Sequence, residues 1–245
     1  MRIVFCYITP FHPNKGGIGR VTDALTRELQ KRGHDIFYLI YPSGITIRHE
    51  FDYPAPLEYL PSEDLLSQDN VNSYIRFLKD NRIDIVVNQS GNFDDSRLWL
   101  KCKELGIPVV SVLHTYPSNS NKYIWKLKIE PLKDTTFKEH LKRIARIILY
   151  PQIKKRALES TIREFRHMVP HSDLVCALSE KFYPQLEPLC PGFKSKYRFI
   201  PNPNSYTEVR LKPKKKQIVW VGSLSHSKET YYGLLCLIIS NEKTG

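Results

Sequence analysis

The residues best suited by type and spacing to do chemistry lie near the start, in Pro10-Phe11-His12-Pro13-Asn14-Lys15-Gly16-Gly17-Ile18-Gly19-Arg20, which joins a first strand-like run to a first helical one. Glycines let backbone N–H groups approach an anion closely, and the helix N-terminus that follows adds a dipole favourable to phosphate. Arg20 could supply a positive charge. A flexible turn without a ligand is the plainer reading of the same residues. A dinucleotide site fits them less well. Thr22 stands at the third glycine position, the glycines follow a long proline-containing loop, and the second strand ends Ile40-Tyr41-Pro42 without an acidic residue to hold a ribose.

His114 closes the apolar run Val109-Val110-Ser111-Val112-Leu113. Ligands bind at the carboxyl ends of strands in open α/β sheets, so the imidazole is a candidate hydrogen-bonding group; capping a loop through its ring nitrogens is the alternative. Charge is the third concentration of chemistry. Residues 1–121 carry 13 Lys+Arg against 14 Asp+Glu, a net of −1, whereas residues 122–167 carry 13 against 5, a net of +8. Residues 168–245 carry 11 against 6, a net of +5, and the whole chain stands at +12.

A solvated helical face is the commonest explanation for such a basic segment. Next comes a membrane-surface face, with Lys142, Arg143 and Arg146 as cations set against Phe137, Leu141, Ile144 and Ile148, a pattern that suits anionic lipid. No nucleic-acid-binding module accompanies the charge, which makes nucleic acid the least favoured partner. The cysteines, Cys6, Cys102, Cys176, Cys190 and Cys236, are widely spaced and include no C-x-x-C pair. They read as reduced packing residues, not zinc ligands or nucleophiles.

These groups need a scaffold. A chain of 245 residues that is 41% hydrophobic can bury one sizeable core and can hold one or two domains. Short β-branched or aromatic runs at Arg2–Thr9, Asp35–Tyr41, Ile83–Gln89, Pro108–Leu113 and Asp173–Ala177 alternate with helical patterns at Ile18–Arg32, Ser62–Asn81 and Asp94–Leu105. In the first helix Val21, Ala24, Leu25 and Leu29 have the spacing of one apolar face. The alternation predicts an α/β domain with a Rossmann-like, doubly wound parallel sheet. Residues 121–169 break the rhythm and read as a basic helical insertion. Its two patterns are Phe137, Leu141, Ile144, Ile148 and Leu158, Ile162, Phe165, Val169, with Pro151 as the break between them.

Residues 202–216, ending in Lys214-Lys215-Lys216 and bracketed by prolines, have linker composition. A further buried-strand candidate, Gln217-Ile218-Val219-Trp220-Val221, leads to a helical start near Ser227. One strand and one helix cannot bury their apolar faces alone, so a second domain is expected to begin at 217 and to be incomplete at Gly245. The opening residues run directly into a strand, and no apolar run is long enough to cross a bilayer. The expected location is the cytosol, with peripheral attachment to the inner membrane face as an option.

A strand, a loop ending in Gly16-Gly17, then a helix leading to Lys31-Arg32-Gly33-His34-Asp35 resembles the opening of the family-four retaining glycosyltransferases of GT-B fold. Val109-Val110-Ser111-Val112-Leu113-His114 resembles the family's strand ending in a histidine at the interdomain cleft. Leu174-Val175-Cys176-Ala177-Leu178-Ser179-Glu180 with Phe199-Ile200-Pro201-Asn202 is similar to its crossing region, and Val219 to Lys228 to the loop that opens its second domain. The resemblance implies an N-terminal acceptor-side Rossmann-like domain over 1–201, the linker, and the truncated start of a nucleotide-sugar-binding domain over 217–245.

It further implies transfer of a hexose from a UDP- or GDP-sugar to a glycan or lipid-linked acceptor, with no metal cofactor. By match, Gly16 and Gly17 abut the donor phosphates or transferred sugar, with Arg20 nearby. His114 hydrogen-bonds the sugar, and Lys228 neutralises the leaving diphosphate. Two positions depart from the pattern: Ser223 replaces an arginine and Glu229 a glycine. The family's pair of glutamates spaced by seven residues has no counterpart after Lys228, so the chain is expected to be donor-deficient. A non-catalytic module that binds an acceptor or a membrane surface is the alternative.

Overall fold

The structure, a computed structural model, describes residues 1–14, 16–41, 51–89, 96–114 and 136–202. Outside them lie Lys15, Lys228, Ser223, Glu229, Cys236, residues 121–135 of the expected insertion and residues 203–245. The chain divides into two compact units, Met1–Pro117 with Ser160–Ser205, and Ser118–Glu159 with Tyr206–Gly245.

The first unit is built on seven parallel strands: β1 (Arg2–Tyr7), β2 (Asp35–Ile40), β3 (Leu57–Tyr59), β4 (Ile85–Asn88), β5 (Val109–Leu113), β6 (Leu174–Ala177) and β7 (Tyr197–Phe199). Their order in the sheet is β3-β2-β1-β4-β5-β6-β7. Helices α1 (Gly17–Lys31), α2 (Gln68–Asp80) and α3 (Ser96–Glu104) fall between strands of its front half. This is the expected doubly wound parallel sheet.

Period two along β1 shows why both faces must be covered. Val4 and Cys6 join Leu39 and Val86 against Tyr74, Phe77 and Leu78 of α2 and Leu98 and Trp99 of α3. Ile3 and Phe5 point the other way, into a cluster with Ile36, Tyr38, Ile40 and Phe11, against which Ile18 and Leu29 of α1 pack. Aspartates fix the amino edge: Asp84 accepts from the Arg2 amide at 2.7 Å and Asp173 from the Val109 amide at 2.8 Å.

Three expectations need correction. On α1 the fully buried positions are Thr22 and Thr26, while Leu25 is exposed. Threonine hydroxyls turned to the sheet are buried and require partners, which two side chains of the sheet supply. Tyr38 donates its hydroxyl to Thr26 Oγ1 at 2.8 Å, and Gln89 donates to Thr22 Oγ1 at 2.9 Å.

The helix expected from Ser62 starts at Gln68, because local side-chain bonds hold residues 62–66 in turns. Ser62 Oγ accepts from the Asp64 amide, Asp64 Oδ1 accepts from the Leu66 amide, and Ser67 caps α2 by accepting from the Asn70 amide. Buried Asn70 is the hub, donating to the carbonyls of Ser62 and Asp64 at 2.8 and 2.9 Å and accepting from the Ser62 amide at 2.9 Å. Asn70→Ala should cost about 2–3 kcal/mol in urea unfolding, with an unchanged denaturant slope, because it strands these backbone groups without opening the core. Strands β3 and β7, three residues each, were not anticipated.

Of the insertion, α4 (Phe137–Ile148) belongs to the second unit, while α5 (Tyr150–His171) runs from the second unit into the first. Pro151 sits in the first turn of α5, where its missing N–H costs nothing, so the break falls where the proline predicts. Lys196 secures the other end of α5 by donating to the carbonyls of Val169, Pro170 and Ser172 at 3.2, 2.8 and 2.7 Å.

Candidate functional site

In the order β3-β2-β1-β4-β5 the chain reverses direction across the sheet between β1 and β4, and their carboxyl ends open the crevice where such folds bind ligands. Gly16 and Gly17 follow β1 on one side of it. Gly16 has φ +132°, a backbone state that side chains disfavour, and it precedes α1 with no side-chain cap. Nor does the first turn of α1 carry an acidic residue. Among the described residues no side chain caps these leading N–H groups, which lie at the positive end of the helix dipole and suit an anionic acceptor. Gly19 permits this geometry, since a Cβ there would collide with the His12 carbonyl. Arg20 lies exposed one turn in.

His114 follows β5 and is half-buried. Its Nε2 lies 2.5 Å from Gln89 Oε1, and the amide of Gln89 reaches in the opposite direction to Thr22 on α1. The Gln89 backbone amide also donates to the Cys6 carbonyl of β1 at 2.9 Å. One side chain therefore ties α1, β4 and β5 together at the switch point. Burial pushes the His114 imidazole down to about 4, so the ring is neutral at physiological pH. A neutral ring here is a hydrogen-bonding group and not a cation.

The structure thus places Gly16, Gly17 and His114 on one carboxyl edge of one unit. Lys142, Arg143 and Arg146 lie on α4 in the other unit, Lys142 exposed and the two arginines half-buried. Lys228 lies outside the described residues. Gln89 was not among the expected site residues. The available signal was the polar pair Asn88-Gln89 closing an otherwise apolar strand, a place where a side-chain amide must have a purpose other than packing. Among the described residues Cys6, Cys102, Cys176 and Cys190 form no disulfide and three of these four are buried; burial raises Cys102 to about 12 and raises Cys176 and Cys190, which disarms those three as nucleophiles.

The seven-stranded parallel sheet, with the glycine loop and His114 at its switch point, has the Rossmann-like architecture of one half of a GT-B fold. The sequence profile of Glycosyltransferase Family 4 matches residues 15–203, most of the chain, and the chain belongs to that family. Among solved structures, the apo form of the lipopolysaccharide outer core galactosyltransferase WaaB is similar at 14% identity and a TM-score of 0.52, over 96% of this chain and 57% of that one. At that identity the likeness shows the fold alone. CalG4, the calicheamicin glycosyltransferase, is similar at 17% identity and a TM-score of 0.42, over 82% of this chain and 52% of that one. The chain therefore spans little more than half the length of these two structures. No curated protein sequence matches it.

Proposed function

We propose that the protein built on this chain transfers a hexose from a UDP- or GDP-sugar to a glycan or lipid-linked acceptor in cell-surface polysaccharide synthesis, with retention and without a metal. The observation that carries this reading is the shared edge, where the start of α1 at Gly16 and Gly17 has no side-chain cap and a neutral His114 is tied to the same helix through Gln89 and Thr22. In the proposed reaction the acceptor oxygen bonds to the anomeric carbon as the carbon–phosphate-oxygen bond breaks. The nucleoside diphosphate leaves with the bonding electrons and takes the acceptor's proton. Negative charge grows on that leaving group, and N–H groups at Gly16 and Gly17, Arg20 and Lys228 are suited to stabilise it. His114 holds a sugar hydroxyl.

The test measures UDP or GDP release and sugar transfer across a panel of donors, for the full gene product from its native source and for the 245 residues alone. Full product should turn over one donor, and His114→Ala should lower its kcat/KM roughly ten- to hundredfold, the worth of one hydrogen bond in a site shielded from water. No turnover with any donor would sink the proposal. Activity from the 245 residues alone would show that no further domain is required.

A second reading is favoured by α4, whose stripe Phe137, Leu141, Ile144 and Ile148 is exposed, Phe137 at 78% and Ile148 at 71%. An apolar stripe open to solvent with cations alongside is the arrangement of an interfacial helix, and we infer attachment to an anionic membrane. Among the described residues no helix is long and apolar enough to cross a membrane. The partition coefficient onto anionic vesicles, read by co-sedimentation, should fall roughly a hundredfold when Lys142, Arg143 and Arg146 become glutamine, at about 1 kcal/mol for each cation near the surface. Phe137→Ser with Ile148→Ser should weaken it too. A wild type that ignores the vesicles refutes the attachment.

A further inference from the structure

The site contains a side chain with no place in the reaction above. Gln89 lies at the end of β4, 2% exposed, with its two amide atoms engaged in opposite directions. Its Nε2 can only donate, and does so to Thr22 Oγ1 at 2.9 Å, which turns Oε1 towards His114 Nε2. A carbonyl oxygen can only accept, so the hydrogen between Gln89 and His114 belongs to the imidazole. We propose that Gln89, anchored by Thr22, is a positioning residue that holds His114 as its Nε2–H tautomer and leaves Nδ1 as the ring's one acceptor. What His114 meets in a ligand must then be a donor. A sugar hydroxyl qualifies; an unprotonated phosphate oxygen does not. The tautomer rests on geometry alone, and the hydroxyl as its partner rests on the glycosyl-transfer reading.

Long-range proton–nitrogen spectra of the 245-residue chain at neutral pH read the tautomer without needing a substrate. Expected are a protonated Nε2 and a bare, pyridine-type Nδ1 for His114. Gln89→Leu removes both amide atoms at similar size and should move the two nitrogens towards the averaged positions of an unrestrained ring. Gln89→Glu keeps an accepting oxygen and should retain the Nε2–H form, while its negative charge moves the titration midpoint of the ring upwards. Should Gln89→Leu fail to fold, Thr22→Val serves, since it frees the amide to turn over and should mix the tautomers. A protonated Nδ1 in the wild type overturns the proposal, as does a His114 signal indifferent to Gln89→Leu or, where that variant cannot be read, to Thr22→Val. Saturation with methyl hexosides should then perturb Nδ1, whereas inorganic phosphate should not. The expected tautomer combined with a response to phosphate alone would leave the positioning role standing and remove the sugar as ligand.

Discussion

Gly19→Ala should lower stability by about 3 kcal/mol, a loss of roughly 6–12 °C in melting temperature for a chain of this size. The reason lies in what the added carbon meets. It is the backbone carbonyl of His12, not the flexible end of a side chain, so nothing nearby can rotate away. Either the start of α1 lifts off the sheet or the loop before it moves. Both displace Gly16 and Gly17. Gly17→Ala supplies the control two residues earlier, since its Cβ would meet nothing within 4 Å and the residue is already helical. That substitution should be neutral or stabilise by up to about 1 kcal/mol, because alanine loses less conformational freedom in a helix. Equal losses in the two variants would show that the loop-to-helix contact has no special weight.

The second large effect is on pH. Burial holds His114 near 4 in the folded chain against about 6.5 when unfolded. Above about pH 6.5 both states are neutral and the residue contributes no pH dependence. Between about 6.5 and 4 the unfolded chain binds a proton that the folded one refuses, so stability falls as pH falls. The folded ring is only partly shielded from water, and about 2–3 kcal/mol should be lost across that window. Urea unfolding of the wild type and of His114→Phe at a series of pH values isolates the term, because carboxylate contributions cancel in the difference. A flat difference between pH 7 and 4 would mean that the folded ring takes up its proton freely.

The sheet was legible because five of its strands are apolar runs long enough to show themselves between helical patterns. β3 and β7, at three residues each, are too short to carry a period; they exist because a neighbouring strand offers a free edge. The start of α2 was obscured by serine and aspartate, which satisfy turns as readily as they cap helices. Hydrophobic spacing found Leu29 on the packed face of α1 but included exposed Leu25 and missed Thr22 and Thr26, whose partners Gln89 and Tyr38 are distant in sequence. The glycine loop and His114 could be found from type and position. For Gln89 the polar pair at the end of an apolar strand marks the position but not its role, which depends on three elements meeting at one point.

The register Val110↔Leu174 joins strands 64 residues apart, and that separation has a consequence for synthesis. At about 5–20 residues per second, roughly 3–13 s pass after β5 leaves the ribosome before β6 follows it. Everything that forms the crevice in this unit, from Gly16 to His114, has been made by then, while the outer backbone edge of β5 still waits for its partner. A translating cell would therefore hold a formed crevice beside an open, aggregation-prone border, and pauses in translation between the codons of residues 114 and 174 should govern how much of the nascent chain is lost.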